Sequence, residues 1–132
     1  MSATTLEDLF HIARDAALRA YNPYSHFSVG CAIQSSSGGV YAGCNIENAS
    51  FGVTLCAERV AGSKAIFERD FEWQTIVVVS PQAVSCCGIC RQFIHEFAPK
   101  ADVWVGFLDP QKPTRGPVKI YELLPSGMTL DH

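Results

Sequence analysis

The segment DPQKPTRGP, residues 109–117, decides how this chain folds. It lies between an apolar run, ADVWVGFL (101–108), and a weaker β-prone run, VKIY (118–121). Nine residues carrying three prolines hold no crossover helix. Parallel neighbours need a dozen or more connecting residues, usually with a helix, so these two strands are expected to pair antiparallel. Working backwards, GICRQFIHEFA (88–98) places Ile89, Phe93, Ile94 and Phe97 on one helical face. TIVVVS (75–80) is the continuous apolar run of a strand covered on both faces. LCAERVAGSKAIF (55–67) reads as a helix whose small and apolar positions suit packing against a sheet. FSVGCAIQ (27–34) and VYAGCNIE (40–47) flank SSSGG and read as a hairpin. Thr4-Thr5-Leu6-Glu7 has the Thr-x-x-Glu form of a capping box. Behind it Leu6, Leu9, Phe10, Ala13, Ala16 and Ala17 recur at helical spacing, giving a helix from about Thr5 to Ala20, ended by Asn22-Pro23. The order predicts an α/β fold: a three-layer α/β/α domain over 1–132, with a mixed five-stranded sheet and its last two strands antiparallel.

Composition narrows the function. Hydrophobic residues at 48% and charged residues at 17% suit a packed core rather than disorder. A net charge of −3 leaves no basic stripe, which argues against a nucleic-acid partner. MSATTLEDLFHIARDAALRAY lacks the basic start and unbroken apolar run of a signal peptide. No apolar segment reaches the roughly 18–20 residues of a membrane span. The expected compartment is a reducing cytoplasm, where clustered cysteines are metal-binding or catalytic more often than disulfide-bonded.

Three of the six cysteines fall in SCCGICRQF (85–93). Cys87 and Cys90 form a C-x-x-C pair at a helix start, which lowers thiol pKa and serves a metal site or a dithiol redox pair equally well. Cys56 opens the preceding helix and Glu58 follows two residues on; alone, they read as a core thiol and a surface charge. Helix starts gather at one rim of an α/β sheet, so three thiolates and a carboxylate can converge there. Three protein ligands leave a tetrahedral zinc one open position, the mark of a catalytic site. Glu58 would then be the general base, and Arg59 with the helix N-termini would draw charge from the sulfurs. Cys31 and Cys44 read as small core residues, Tyr24 and Ser25 as turn residues, and the four histidines lie away from the cysteine pattern.

AYNPYSHFSVG (20–30), GCNIENASFGVTLCAER (43–59), CGICRQF (87–93) and ELLP (122–125) together resemble the zinc-dependent cytidine deaminases of the small homotetrameric type. The resemblance implies a Cys56, Cys87, Cys90 zinc site. It implies hydrolytic deamination of cytidine and deoxycytidine to uridine and deoxyuridine with ammonia release, a pyrimidine-salvage reaction. In that family a zinc-bound hydroxide attacks C4 while the residue matching Glu58 shuttles protons to N3 and to the departing amine. By position, Asn45 and Glu47 match the pair that binds the ribose hydroxyls, Phe27 the aromatic beside the pyrimidine, and Ala57 the backbone that holds the base edge. Arg59 matches the arginine bonded to a ligand sulfur, and Phe51 falls in a segment borrowed by a neighbouring subunit. The chain departs from the pattern at Cys86, where the family has proline, and at Met128, where an aromatic lid is expected. The LLPSG ending (123–127) also resembles blasticidin S deaminases, whereas NIEN (45–48) suits an unmodified ribose. The rival readings are a non-catalytic domain with a closed Cys56, Cys86, Cys87, Cys90 zinc, a thiol redox protein, and a nucleic-acid-editing deaminase. Adjacent Cys86 and Cys87 reach one ion together only with difficulty, and the acidic charge and short 109–117 connection oppose the last.

Overall fold

Thr5, not Thr4, caps the first helix. Its Oγ1 accepts from the Asp8 amide at 3.1 Å, and the Asp8 carboxylate accepts from the Thr5 amide at 2.9 Å. The capping box is therefore one residue later than Thr4 and Glu7 suggested, because the helix starts at Leu6 and puts Asp8 at its third position. The computed structural model describes residues 4–132. Helix α1 spans Leu6–Ala17. It stops short of Ala20 because the amides of Leu18, Arg19 and Ala20 bond three residues back, tightening the chain into a turn.

The remaining elements are β1 (Gly30–Ser35), β2 (Val40–Cys44), α2 (Ala57–Phe67), β3 (Trp73–Ser80), α3 (Gly88–Phe97), β4 (Asp102–Phe107), β5 (Arg115–Lys119) and α4 (Ile120–Leu123). A single 3₁₀ turn, Phe51–Val53, precedes α2. The five-stranded sheet runs β2-β1-β3-β4-β5. β3 and β4 are parallel; the other neighbouring pairs, including β4 with β5, are antiparallel. The proline-rich return thus acts as its length requires. The last strand differs in its bounds: it is Arg115–Lys119, and Ile120 and Tyr121 begin a helix rather than ending a strand. The Glu122 carboxylate accepts from the Lys119 amide at 3.1 Å, and the Ile120 and Tyr121 amides bond to Ala101 and Pro99 carbonyls, which turns the chain there.

Strand alternation divides the core. Val77 and Val79 pack with Ala32 against Leu9, Phe10, Ala13 and Ala17 of α1. Ile76 and Val78 point the other way, joining Cys31, Ile33, Val103 and Val105 against Ala57, Ala61 and Ala65 of α2 and Cys90 and Ile94 of α3. This is why β3 is apolar at every position from Ile76 to Val79. On α3 the buried set is Cys90, Ile94 and His95; Ile89, expected inside, is 65% exposed. Starting the helix at Gly88 turns the Cys90–Ile94 pair, four residues apart, toward the sheet and Ile89 away from it. Among the described residues no helix is long and apolar enough to cross a membrane.

Gly43 sets how closely α2 approaches the sheet. A Cβ there would lie 2.5 Å from both the Ala57 carbonyl oxygen and the Ala61 amide nitrogen. Gly43→Ala is expected to destabilise the fold by about 1–3 kcal/mol, because helix backbone must move to admit the methyl group; equilibrium urea unfolding of the two proteins measures it.

Candidate metal centre and its cavity

Two cysteines sit at equivalent places on two helices. Cys56 is the N-cap of α2 and Cys87 the N-cap of α3. Neither uses its side chain to cap the helix, so both sulfurs are available to another partner. Cys90 lies one turn into α3 and is fully buried. The Cys56 and Cys87 sulfurs are 3.7 Å apart, and all three sulfurs lie within 4.8 Å of one another. Sulfurs bound at about 2.3 Å to a tetrahedral zinc are separated by about 3.8 Å, so the spacing suits that ion. Among the described residues this is the one group of His, Cys, Asp and Glu side chains so gathered.

The electrostatics favour thiolate. Cys56 is drawn down to about 5, first by the Cys90 thiol, then by Arg59 and Cys87, against the cost of burial. Cys90 is correspondingly raised, chiefly by sharing a proton with Cys56. Arg59 Nη2 donates to Cys56 Sγ at 3.5 Å and to the Thr54 carbonyl at 3.2 Å, placing a permanent cation beside the sulfur. Cys86 is buried and stands outside the sulfur group. It neighbours Glu58 instead, and burial pushes its thiol well above the ordinary range. All six cysteines are free thiols.

Glu58 occupies the second position of α2 and is 4% exposed. Burial raises its pKa, and the nearby Cys56 thiolate adds to the rise; its own amide and the Cys86 thiol oppose it. A cavity of about 170 Å³ opens beside it. Val29, Val78, Val84 and Ala57 supply apolar walls, while Asn45, Glu58, Ser85, Cys56 and Cys87 bring polar groups. Thr54 is shared with a second hollow of about 300 Å³ lined by Tyr24, Ser25, Glu47 and Phe51.

Asn45 spans the wall between segments. Its Oδ1 accepts from the Val29 amide at 2.9 Å and its Nδ2 donates to the Phe27 carbonyl at 2.8 Å, leaving one amide hydrogen for a ligand. Glu47 accepts from the Tyr24 amide at 3.0 Å, the Ser25 amide at 3.1 Å and the Ser25 hydroxyl, which together hold its carboxyl below the usual range. Tyr24 and Ser25, turn residues by sequence, are thus the anchors of Glu47. Only their position after Asn22-Pro23 hinted at order there, and nothing local points to a carboxylate more than twenty residues away. Phe27 is half-buried, and its ring is not among the walls of either hollow. Phe51 is 72% exposed and meets Tyr24 edge to face at 5.7 Å. Gln92, which the sequence reading passed over, clamps the Met128 backbone: Nε2 donates to its carbonyl at 3.0 Å and Oε1 accepts from its amide at 3.2 Å.

Residues 3–106 match the family described as the cytidine and deoxycytidylate deaminase zinc-binding region. The chain belongs to this deaminase family. It is 42% identical over 117 residues to a cytidine deaminase of Halalkalibacterium halodurans, covering 85% of each chain. A crystal structure of cytidine deaminase from Burkholderia pseudomallei matches the fold with a TM-score of 0.88 at 36% identity, covering 94% of this chain and 99% of that one. A blasticidin-S deaminase of Bacillus cereus is 31% identical over 108 residues, 74% of this chain and 76% of that protein. For a deaminase of this zinc-binding family, the three convergent sulfurs are a donor set that suits the metal.

Proposed function

We propose that the chain is a cytidine deaminase that converts cytidine and deoxycytidine to their uracil counterparts, with zinc held by Cys56, Cys87 and Cys90 and with Glu58 carrying protons. The observation that carries this reading is the buried Glu58 carboxyl at a cavity that also reaches Cys56 and Cys87. Zinc bound there supplies a Lewis acid that makes water nucleophilic near neutral pH. Glu58 takes the proton that the attacking water gives up at C4, delivers it to ring N3, and then moves a proton to the departing amine. Water and cytidine become uridine and ammonia, and Glu58 ends in the state in which it began. Burial raises the Glu58 carboxyl above its ordinary range, which favours a group that both accepts and returns a proton. Arg59 withdraws charge from Cys56, which strengthens the Lewis acid that three thiolates would otherwise blunt.

The valines and Ala57 supply a slot for a flat ring, with Ala57 backbone at the base edge and Phe27 stiffening the 27–29 segment through Asn45. Asn45 and Glu47 keep hydrogen-bonding capacity for ribose hydroxyls. Their arrangement favours an unmodified ribose over the sugar of blasticidin S. The open hollow, with Phe51 largely exposed at its edge, and the exposed Ile46, Leu55, Val53 and Phe67 support a homotetramer whose neighbours complete each site. Six free thiols, three of them needed as thiolates, favour a reducing cytoplasm, and action on free nucleosides fits a pyrimidine-salvage role. The chain then acts as a single domain over 1–132.

The test is ammonia release from cytidine, deoxycytidine, cytosine, adenosine and blasticidin S, with zinc measured on the same sample. Turnover of the first two, with zinc near one per chain, is the expected result. Turnover of blasticidin S alone would replace the substrate, and a zinc-free protein with a reducible Cys87–Cys90 bond would replace the reading altogether.

A further inference from the structure

We propose that Arg115, a residue of the proline-rich return, is a positioning residue that sets the shape of the substrate cavity by holding the loop between β3 and α3. That loop, residues 81–87, supplies Val84 and Ser85 to the cavity and then delivers Cys87. Its course is awkward. Ala83 is 2% exposed and has φ +51°, a left-handed conformation that residues with a Cβ adopt reluctantly. A buried residue in that state persists only where its surroundings enforce it.

The Ala83 amide bonds the Ser80 carbonyl at 3.4 Å, and three side-chain bonds to the loop complete the enforcement. Ser80 Oγ accepts from the Val84 amide at 3.2 Å, from the strand the loop has just left. Arg91 Nε donates to the Cys86 carbonyl at 2.8 Å, from the helix it is about to enter. Arg115 Nη2 donates to the carbonyl of Ala83 itself, from 32 residues further along the chain. Of these, Arg115 alone ties the loop to the edge strand β5. Its own place is set by Gly116, where φ is +135° and a Cβ would lie 2.8 Å from the Val103 carbonyl oxygen, so β5 backbone closes directly on β4.

Without the guanidinium, the Ala83 carbonyl loses its charged partner and the residue is free to relax out of the left-handed state. Val84 and Ser85 follow and the wall moves. Cys87 moves less, because Arg91 still holds the carbonyl before it. The defect should therefore fall on nucleoside binding and spare the metal. This inference rests on the cavity being the substrate site of the proposed function.

The experiment compares wild type, Arg115→Ala, Arg115→Gln and the double variant Arg115→Ala/Ala83→Gly, measuring kcat and KM for cytidine, zinc content, and hydrogen exchange at the 83–85 amides. Arg115→Ala is expected to raise KM about tenfold with kcat within about twofold, and to speed exchange at Val84 and Ser85. Zinc should stay near one per chain. Arg115→Gln, shorter and uncharged, should raise KM about fivefold and serves if the alanine variant folds poorly. Glycine at 83 adopts the left-handed state freely, so the double variant should recover much of the lost affinity. KM within about twofold of wild type in both single variants overturns the inference, as does a parallel loss of kcat and zinc. If wild type releases no ammonia from cytidine, the proposed function fails on that result alone, and unchanged exchange at 83–85 in Arg115→Ala is then what overturns the clamp.

Discussion

Glu58→Gln is expected to lower turnover of cytidine by about 10³–10⁴-fold while leaving the chain folded and its zinc bound. Glutamine keeps the size and a hydrogen-bonding oxygen but neither accepts nor returns a proton. The carboxyl is buried at the second position of α2, with no exposed acid beside it in the cavity to take over its role. Because one side chain would serve two successive proton transfers, loss should exceed that of a residue acting once. The variant should bind nucleoside nearly as well as wild type, since an amide removes a desolvated charge from an apolar slot. Single-turnover assay with zinc analysis checks this; turnover within about tenfold of wild type would take the proton-carrying role away from Glu58.

Cys90→Ala is expected to remove the metal and, with it, all measurable deamination. Two thiols remain, and the missing one is the fully buried member that lies in the core between α3 and the sheet. No other described side chain lies within reach to replace it, because Cys86 packs against Glu58, outside the sulfur group. Metal analysis after dialysis should find zinc far below one per chain in Cys90→Ala and near one per chain in Cys86→Ala. Zinc loss in Cys86→Ala would instead support a closed four-thiol site. The alanine at 86 also deprives the Glu58 carboxyl of a thiol neighbour, so a modest change in turnover with full zinc is the expected companion result.

The antiparallel pairing of the last two strands was legible because chain length leaves few choices: nine proline-rich residues cannot carry a strand back to the same end. The gathering of Cys56, Cys87 and Cys90 was legible because helix starts in an α/β fold converge, and each cysteine pattern falls at one. Other features depend on packing that no local pattern records. The cap register at Thr5 follows from where α1 begins, and two overlapping Thr-x-x-acid patterns look alike in sequence. Ile89 lies outside because the sheet takes Cys90 and Ile94, although its helical spacing to Phe93 is equally good. Tyr24, Ser25 and Gln92 act through backbone and hydroxyl bonds to distant segments, and such bonds leave no periodicity. Arg115 is visible within the very segment that decided the topology, yet its partner is a carbonyl, which has no sequence identity at all.

The sulfurs of Cys56 and Cys87 meet from two helices that bracket the whole of β3, the strand at the centre of the sheet. A metal joining them is a reversible staple across the central strand of the sheet. The folded state alone offers the complete donor set, so each hundredfold excess of free zinc over its dissociation constant adds about 2.7 kcal/mol to stability by mass action. Metal supply would then govern how much of this chain survives unfolding and proteolysis, as well as how much of it is active. A cell short of zinc would lose the protein itself along with its turnover.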